Sequence, residues 1–468
     1  MLNGVCKFLL DGVGKFRKRK SYMYKLKEVC AFSVLSVSLI ALMPGGAAAD
    51  PADSRVEFRD CPKCDKRIRI DLAAGKAYVN LSRLEGASRE AVAERAARLL
   101  DDAVIPPASD PKIRPLMGWS SWNTFGVDIS ESWRTTGDIR ANWRSVKKII
   151  EENLYLSAYA KPGHYNDMDM LEVGQLVGRI KTVFGKHGDT GLTEVEEATH
   201  FGMWCMLSSP LLIGCDVRNL PENTKRLITN PYLLAVNQND LGCQAYVAQR
   251  DGEAYVLVKD ANERFGKSRY VALCNLSDAA CEVTVLADAL DLGGNIDAFD
   301  LVEKADVGRF ADSVTVKLEP HAAKFYRFDA DKRLQRRIYE AETAYLSDYQ
   351  EIRNAKKAGT AFPEARKGAS GGVIVRFLGD RASNDLVWSG VKIDESREYT
   401  LAFDLTSHGE RAFCLSVDGG TPLRIVSKAT SAKIATVEVK TFLSAGVHTI
   451  RLFNDSEWMP DIDRMTIR

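Results

Sequence analysis

Apolar positions along this chain follow two different periods, and the change between them falls near Gln244. Upstream of that point, short apolar runs alternate with helical spacing. Residues 114–119 read as a strand. Residues 140–155 read as an amphipathic helix that gathers Trp143, Val146, Ile149 and Ile150 on one face. A further strand leads into Gly163. Residues 193–207 read as a helix opened by Thr193 with Glu196 three residues on, a spacing that lets each side chain bond the other's backbone amide. A short buried strand at 211–214 and a short helix at 221–228 complete this part. Strands alternating with helices imply a parallel sheet covered by helices. Downstream of Gln244 helical spacing disappears, and short strands separated by turns read as an antiparallel sandwich. A basic linker at 331–337 leads into a second all-β unit.

The resulting organisation is a leader at 1–49, a region of unassigned role at 50–112, an α/β domain at 113–243, a β-sandwich at 244–330, the linker, and a β-sandwich of jelly-roll type at 338–468. Within 50–112, residues 67–80 alternate like short strands and residues 88–103 carry a helical pattern. In the leader, Lys25 and Lys27 precede an apolar run at 31–43, followed by Ala47, Ala48 and Ala49. That is the layout of a cleavable signal peptide. The run falls short of the ~20 apolar residues that span a bilayer. The expectation is a periplasmic or secreted protein with no stable membrane insertion after cleavage.

Composition narrows the function classes. Hydrophobic residues make up 45% and charged residues 27%, as in globular proteins, and the formal net charge is +1. With 64 basic against 63 acidic residues, the basic stripe of a nucleic-acid binder is not expected. Ten cysteines include an isolated pair, Cys61 and Cys64, with no further zinc ligands near it. Cys274 and Cys281 could bridge a hairpin in an exported β domain.

Candidate chemistry concentrates in three segments: Met117-Gly118-Trp119-Ser120-Ser121-Trp122-Asn123, Trp133-Arg134-Thr135-Thr136-Gly137-Asp138, and Gly163-His164-Tyr165-Asn166-Asp167-Met168-Asp169-Met170. An acid four residues after an arginine at a strand mouth suits acid/base work on a polar substrate, and tryptophans can wall a sugar ring. Together the segments resemble the α-galactosidase (melibiase) family of glycoside hydrolases, with supporting phrases at 210–218 and 236–244. The resemblance implies a TIM-type (β/α) barrel, no cofactor for catalysis, and a retaining mechanism on terminal α-galactosides of an oligo- or polysaccharide. It implies Asp138 as general acid/base, Arg134 gripping a sugar hydroxyl, Asp169 and Met170 holding the galactose ring, and Trp122 in its apolar wall. Competing structural readings are a helix N-cap for Asp138, a loop-ordering role for Asp167, and core packing for Trp122 and Met170.

One departure from the family pattern is decisive for function. A full barrel needs ~250 residues and at least ~200, whereas residues 113–244 hold about half of that. Ser132-Trp133-Arg134 follows Ile129-Ser130-Glu131 directly, and no Lys-x-Asp-x-Cys strand, which would carry the family's nucleophile, stands elsewhere. By the family's order the first, sixth, seventh and eighth strands remain, a contiguous arc with two open edges. The expectation is a partial barrel with an internal deletion and impaired hydrolysis; the alternative is a non-catalytic sugar-binding protein.

The C-terminal unit resembles a carbohydrate-binding module. That resemblance implies a structural calcium held by Glu340, Glu342 and Asp463, carboxylates being suited to a hard cation. It also implies sugar contacts from Trp388, Asn454 and Trp458, with core packing as the competing reading of Trp388.

Overall fold

The computed structural model describes residues 53–63, 66–71, 74–84, 86, 88–102, 114–115, 117–119, 132–178, 189–349, 359–429 and 433–468. The leader, Cys64 and Trp122 lie outside these residues.

The α/β part is a partial barrel. Its strands are β4 (Met117–Trp119), β5 (Ser132–Arg134), β6 (Tyr165–Asp167) and β7 (Leu211–Ile213), after three N-terminal strands described below. β4 pairs with β7 and β5 with β6, both in parallel. Just past β6, Leu171 bridges in parallel to Ile213. The spatial order is therefore β4, β7, β6, β5. This is the arc expected when the first and last three strands of a barrel are kept and the intervening ones are absent.

Helices cover the arc where the sequence periodicity places them, with shifted ends. Helix α2 (Trp143–Asn153) buries Val146, Ile149, Ile150 and Asn153, an i, i+3, i+4, i+7 stripe. It starts three residues later than expected because Asn142, whose side chain accepts from the Ser145 amide, is its cap. Helix α3 (Glu194–Met206) opens with the anticipated reciprocal cap: Thr193 Oγ1 accepts from the Glu196 amide and Glu196 Oε2 from the Thr193 amide. The strand expected ahead of Gly163 instead follows it. Pro162 and Gly163 form a tight turn, with Gly163 at φ 76° and backbone bonds exchanged between Lys161 and His164, so β6 starts at Tyr165.

Downstream, the antiparallel sandwich comprises β8 (Tyr246–Asp251) through β15 (Ala323–Arg333). The N-terminal strands β1 (Val56–Arg59), β2 (Ile68–Asp71) and β3 (Lys76–Asn80) join it through β2 and β13 (Ala305–Phe310), giving one nine-stranded sheet. Helix α1 (Arg89–Asp102) contributes Leu99 and Leu100 to the core that also takes in the partial barrel. Helix α3 seats on β15 so closely that a Cβ on Gly202 would fall 2.2 Å from the Phe325 ring. The expected Cys274–Cys281 bridge does not form. Both are free thiols, because Cys274 sits in the nine-stranded sheet and Cys281 in the separate two-stranded one.

The C-terminal unit, from β16 (Ile338–Glu340) to β26 (Asp461–Ile467), is a second β-sandwich of a six- and a five-stranded sheet around its own core. Trp388 is buried there and donates its indole N–H to the Glu340 carbonyl at 3.1 Å, so its role is packing. Asn454 is buried too; its Oδ1 accepts the Ser456 and Glu457 amides, which orders that loop.

Candidate active site

The candidate site stands beyond the C-terminal ends of β5 and β6, where a β/α barrel carries its chemistry. Arg134 ends β5 in register with Asp167 at the end of β6. A buried polar network locks the two strand ends. Thr135 donates its amide to the Asp167 carbonyl at 3.0 Å and its hydroxyl to Asn153 Oδ1 at 2.7 Å. Asn166 donates to Gln244 Oε1 at 2.6 Å, and Gln244 donates to the Asn153 carbonyl at 2.7 Å. Each of these polar side chains is satisfied, which fixes the strand ends against sliding.

Asp169 is held from three sides. Its Oδ2 accepts the Ile139 amide at 2.9 Å and its Oδ1 the Met170 amide at 2.7 Å. Its carbonyl accepts the Trp204 indole N–H at 2.9 Å. The backbone of Asp169 is left-handed, φ 71°, a conformation that a non-glycine residue keeps only when its surroundings impose it. Helix α3 does the imposing: His200 and Trp204, one turn apart, face the loop together, edge to face at 4.1 Å. His200 Nε2 accepts the Glu172 amide at 3.0 Å, and burial drives its pKa down to about 3, so it stays neutral.

The bond from Asp169 to the Ile139 amide links the β6 loop to the residue next to Asp138. Asp138 itself is solvent-exposed, and the N-cap reading of it fails because Asn142 fills that role. Asp167 orders its own loop, accepting the Asp169 amide at 2.9 Å. Met170 is half-buried and packs against Gly214, where an added Cβ would meet its Sδ at 3.3 Å. Asp138, Asp169 and Met170 thus gather at one end of the arc, with Arg134 ending the strand beneath them.

Glu172 was not singled out from the sequence. Burial, followed by repulsion from Asp189 and Asp169, raises its pKa to about 7. Nothing in the string Met170-Leu171-Glu172-Val173 marks it; the only available signal is an acid inside an apolar run.

In the C-terminal unit, Ser370 ties two of the predicted metal ligands together: its amide donates to Asp463 Oδ1 at 2.9 Å and its hydroxyl to Glu340 Oε1 at 2.7 Å. Glu340 Oε2 and Glu342 Oε2 are buried without a hydrogen-bond partner. Burial raises the pKa of all three carboxyls, Asp463 to about 7, and mutual repulsion adds to this at Glu342 and Asp463. Among the described residues no three acidic, His or Cys side chains are already drawn together as a metal cage.

Comparison with known proteins meets this geometry at the same residues. The family described as alpha galactosidase A matches residues 121–239, and the alpha galactosidase C-terminal beta sandwich domain matches 251–328. Both stretches are similar to the α-galactosidase (melibiase) family. Among its relatives, alpha-galactosidase 2 of Arabidopsis thaliana is 35% identical over 205 residues, 43% of this chain and 48% of that protein. The alpha-galactosidase of Cyamopsis tetragonoloba is 33% identical over 45% of this chain and 47% of its own length. This chain therefore spans about half the length of the curated relatives it matches. Among solved structures, a β-L-arabinopyranosidase from Geobacillus stearothermophilus is 28% identical over 43% of this chain and 45% of its own, with a TM-score of 0.39. A family 35 carbohydrate binding module from Clostridium thermocellum is 25% identical over 28% of this chain and 96% of its own, with a TM-score of 0.25.

Proposed function

We propose that this chain is an exported, carbohydrate-recognising member of its family that keeps the acid/base half of a retaining α-galactosidase and lacks the nucleophile half. The observation that carries this reading is the four-stranded arc with Asp138 and the clamped Asp169 at its C-terminal end. Retaining hydrolysis needs a second carboxyl ~5–5.5 Å from the first, to attack the anomeric carbon while the acid protonates the leaving oxygen. In this family reading the nucleophile belongs to a strand between β4 and β5, and the sequence there carries no Lys-x-Asp-x-Cys motif. Asp138 can still donate a proton to a glycosidic oxygen, and Asp169 can still accept a sugar hydroxyl. Without a nucleophile the oxocarbenium-like state gains no covalent partner, so turnover stays near background.

Recognition of α-galactoside-bearing saccharides then falls mainly to the C-terminal unit. Trp458 is half-exposed and meets the exposed Phe377 edge to face at 6.2 Å, an aromatic surface suited to a sugar ring. Glu340, Glu342 and Asp463 would hold a structural calcium. The two buried, unpartnered carboxylate oxygens favour this, since an ion would satisfy them. The cation would neutralise two buried acids and a third that is partly buried, and fix the chain entry and exit of the unit.

The test is titration of the purified chain with an α-galactoside oligosaccharide, in calcium and in EDTA. Binding should survive Asp138→Ala and be lost in Trp458→Ala. The reverse pattern would place recognition in the barrel remnant and overturn this reading. Amino-terminal sequencing of the exported protein tests the leader: a start near Asp50 is expected, and an uncleaved leader contradicts export by this route.

A further inference from the structure

At the opposite end of β6 from Asp138 and Asp169, a cleft of about 790 Å³ opens between the barrel remnant, the first sandwich and the C-terminal unit. Its wall carries seven cationic and only three acidic side chains. Each acid is already engaged: Asp240 by Arg114, Asp394 by Lys392, and Asp260 by Arg269 and Arg333. Among the described residues, the remaining cations have no carboxylate within ion-pair distance.

Two of them are arginines with vacant donors. Arg336 lies between the rings of Tyr246 and Tyr339, its guanidinium 4.1 and 4.7 Å from their centroids. Its Nε donates to the Ile338 carbonyl at 2.8 Å, and among the described residues its two terminal amino groups have no acceptor. Arg264 packs against Phe265, and among the described residues it makes no hydrogen bond. Behind them Lys259 is buried, hydrogen-bonded to Ser208 Oγ at 2.8 Å but to no carboxylate. A buried or ring-enclosed cation without a counter-charge is costly. Planar guanidinium forks with free terminal amines suit the paired oxygens of a carboxylate or sulfate.

We infer that this cleft binds an acidic saccharide, with Arg336 and Arg264 taking its carboxylate or sulfate. The volume far exceeds that of a bare oxyanion, and Tyr345, exposed in the same wall, suits a ring beside the charge. The site needs neither Asp138 nor Asp169, so it stands independently of the catalytic reading.

The experiment is isothermal titration of the full chain with D-glucuronate, galactose 6-sulfate, inorganic sulfate and neutral galactose at matched ionic strength. At least one acidic sugar should bind tenfold or more tightly than both galactose and inorganic sulfate; which one does so identifies the anion. Arg264→Ala, an exposed substitution that the fold tolerates, and Arg336→Gln should each weaken that binding at least tenfold, whereas Asp138→Ala should leave it unchanged. The inference is overturned if neither acidic sugar is preferred over neutral galactose. It is equally overturned if inorganic sulfate binds as tightly, or if binding survives both arginine substitutions in folded protein.

Discussion

At the scale of single residues, Asp169 is held at its backbone and at both carboxylate oxygens. Its left-handed backbone persists because the Trp204 indole and two backbone amides fix its carbonyl and carboxylate. Trp204→Phe removes the indole donor from the Asp169 carbonyl, a loss of about 1–3 kcal/mol. Urea unfolding should show that loss as a lower midpoint at unchanged slope; an unchanged midpoint would mean the loop holds itself. That Asp138 and Asp169 lie at one end of the arc was legible from their motifs, because residue type and spacing carry that information. Glu172 was not, since its pKa near 7 arises from burial that only the assembled fold creates. The capping reading of Asp138 gave way to Asn142, because a string containing both an Asp and an Asn ahead of a helix does not choose the cap between them.

Elements were legible where local chemistry decides them. The capping box of α3 and the buried stripe of α2 follow from side chains three and four residues apart, and both formed. The position of β6 was misplaced because the Pro162-Gly163 turn outweighs the apolar pattern before it. The thiols of Cys274 and Cys281 stay apart because sheet membership is a long-range property that sequence spacing does not report. Gly202 on α3 was equally silent, yet the contact with Phe325 there sets how the helix meets the sandwich. Gly202→Ala should destabilise by about 1–3 kcal/mol through overpacking, despite the better helix propensity of alanine. A melting temperature equal to wild type would show that the two elements can separate freely. In the C-terminal unit, Asp463 titrates near 7 against an ordinary 3.8, and burial raises Glu340 and Glu342 as well. Between about pH 4 and 7 the folded state then holds more protons at these groups than the unfolded chain. Their contribution to stability is greatest at the acidic end and declines as pH rises through that window. In EDTA, wild type should lose more stability between pH 5 and 7.5 than Asp463→Asn, and calcium should restore the difference at pH 7.5. An identical decline in both proteins would remove Asp463 from the account.

For the whole molecule, the sequence announced an incomplete barrel through its length and its missing strand motif, and the arc β4-β7-β6-β5 has that incompleteness. The placement of residues 53–102 was not legible. Their strands extend the sandwich sheet through a single β2–β13 pairing, more than two hundred residues away in the chain. Four parallel strands cannot close on themselves, so the arc relies on α2, α3 and the sandwich for its core. Among the described residues that arrangement brings Asp138 and Asp169 to one end of the arc. The most direct test is the release of nitrophenol from 4-nitrophenyl α-galactoside by the purified, folded chain beside Asp138→Ala. The account predicts rates near the uncatalysed background for both proteins. Turnover by the wild-type chain that disappears in Asp138→Ala would contradict it, because a second carboxyl would then have to be supplying the nucleophile.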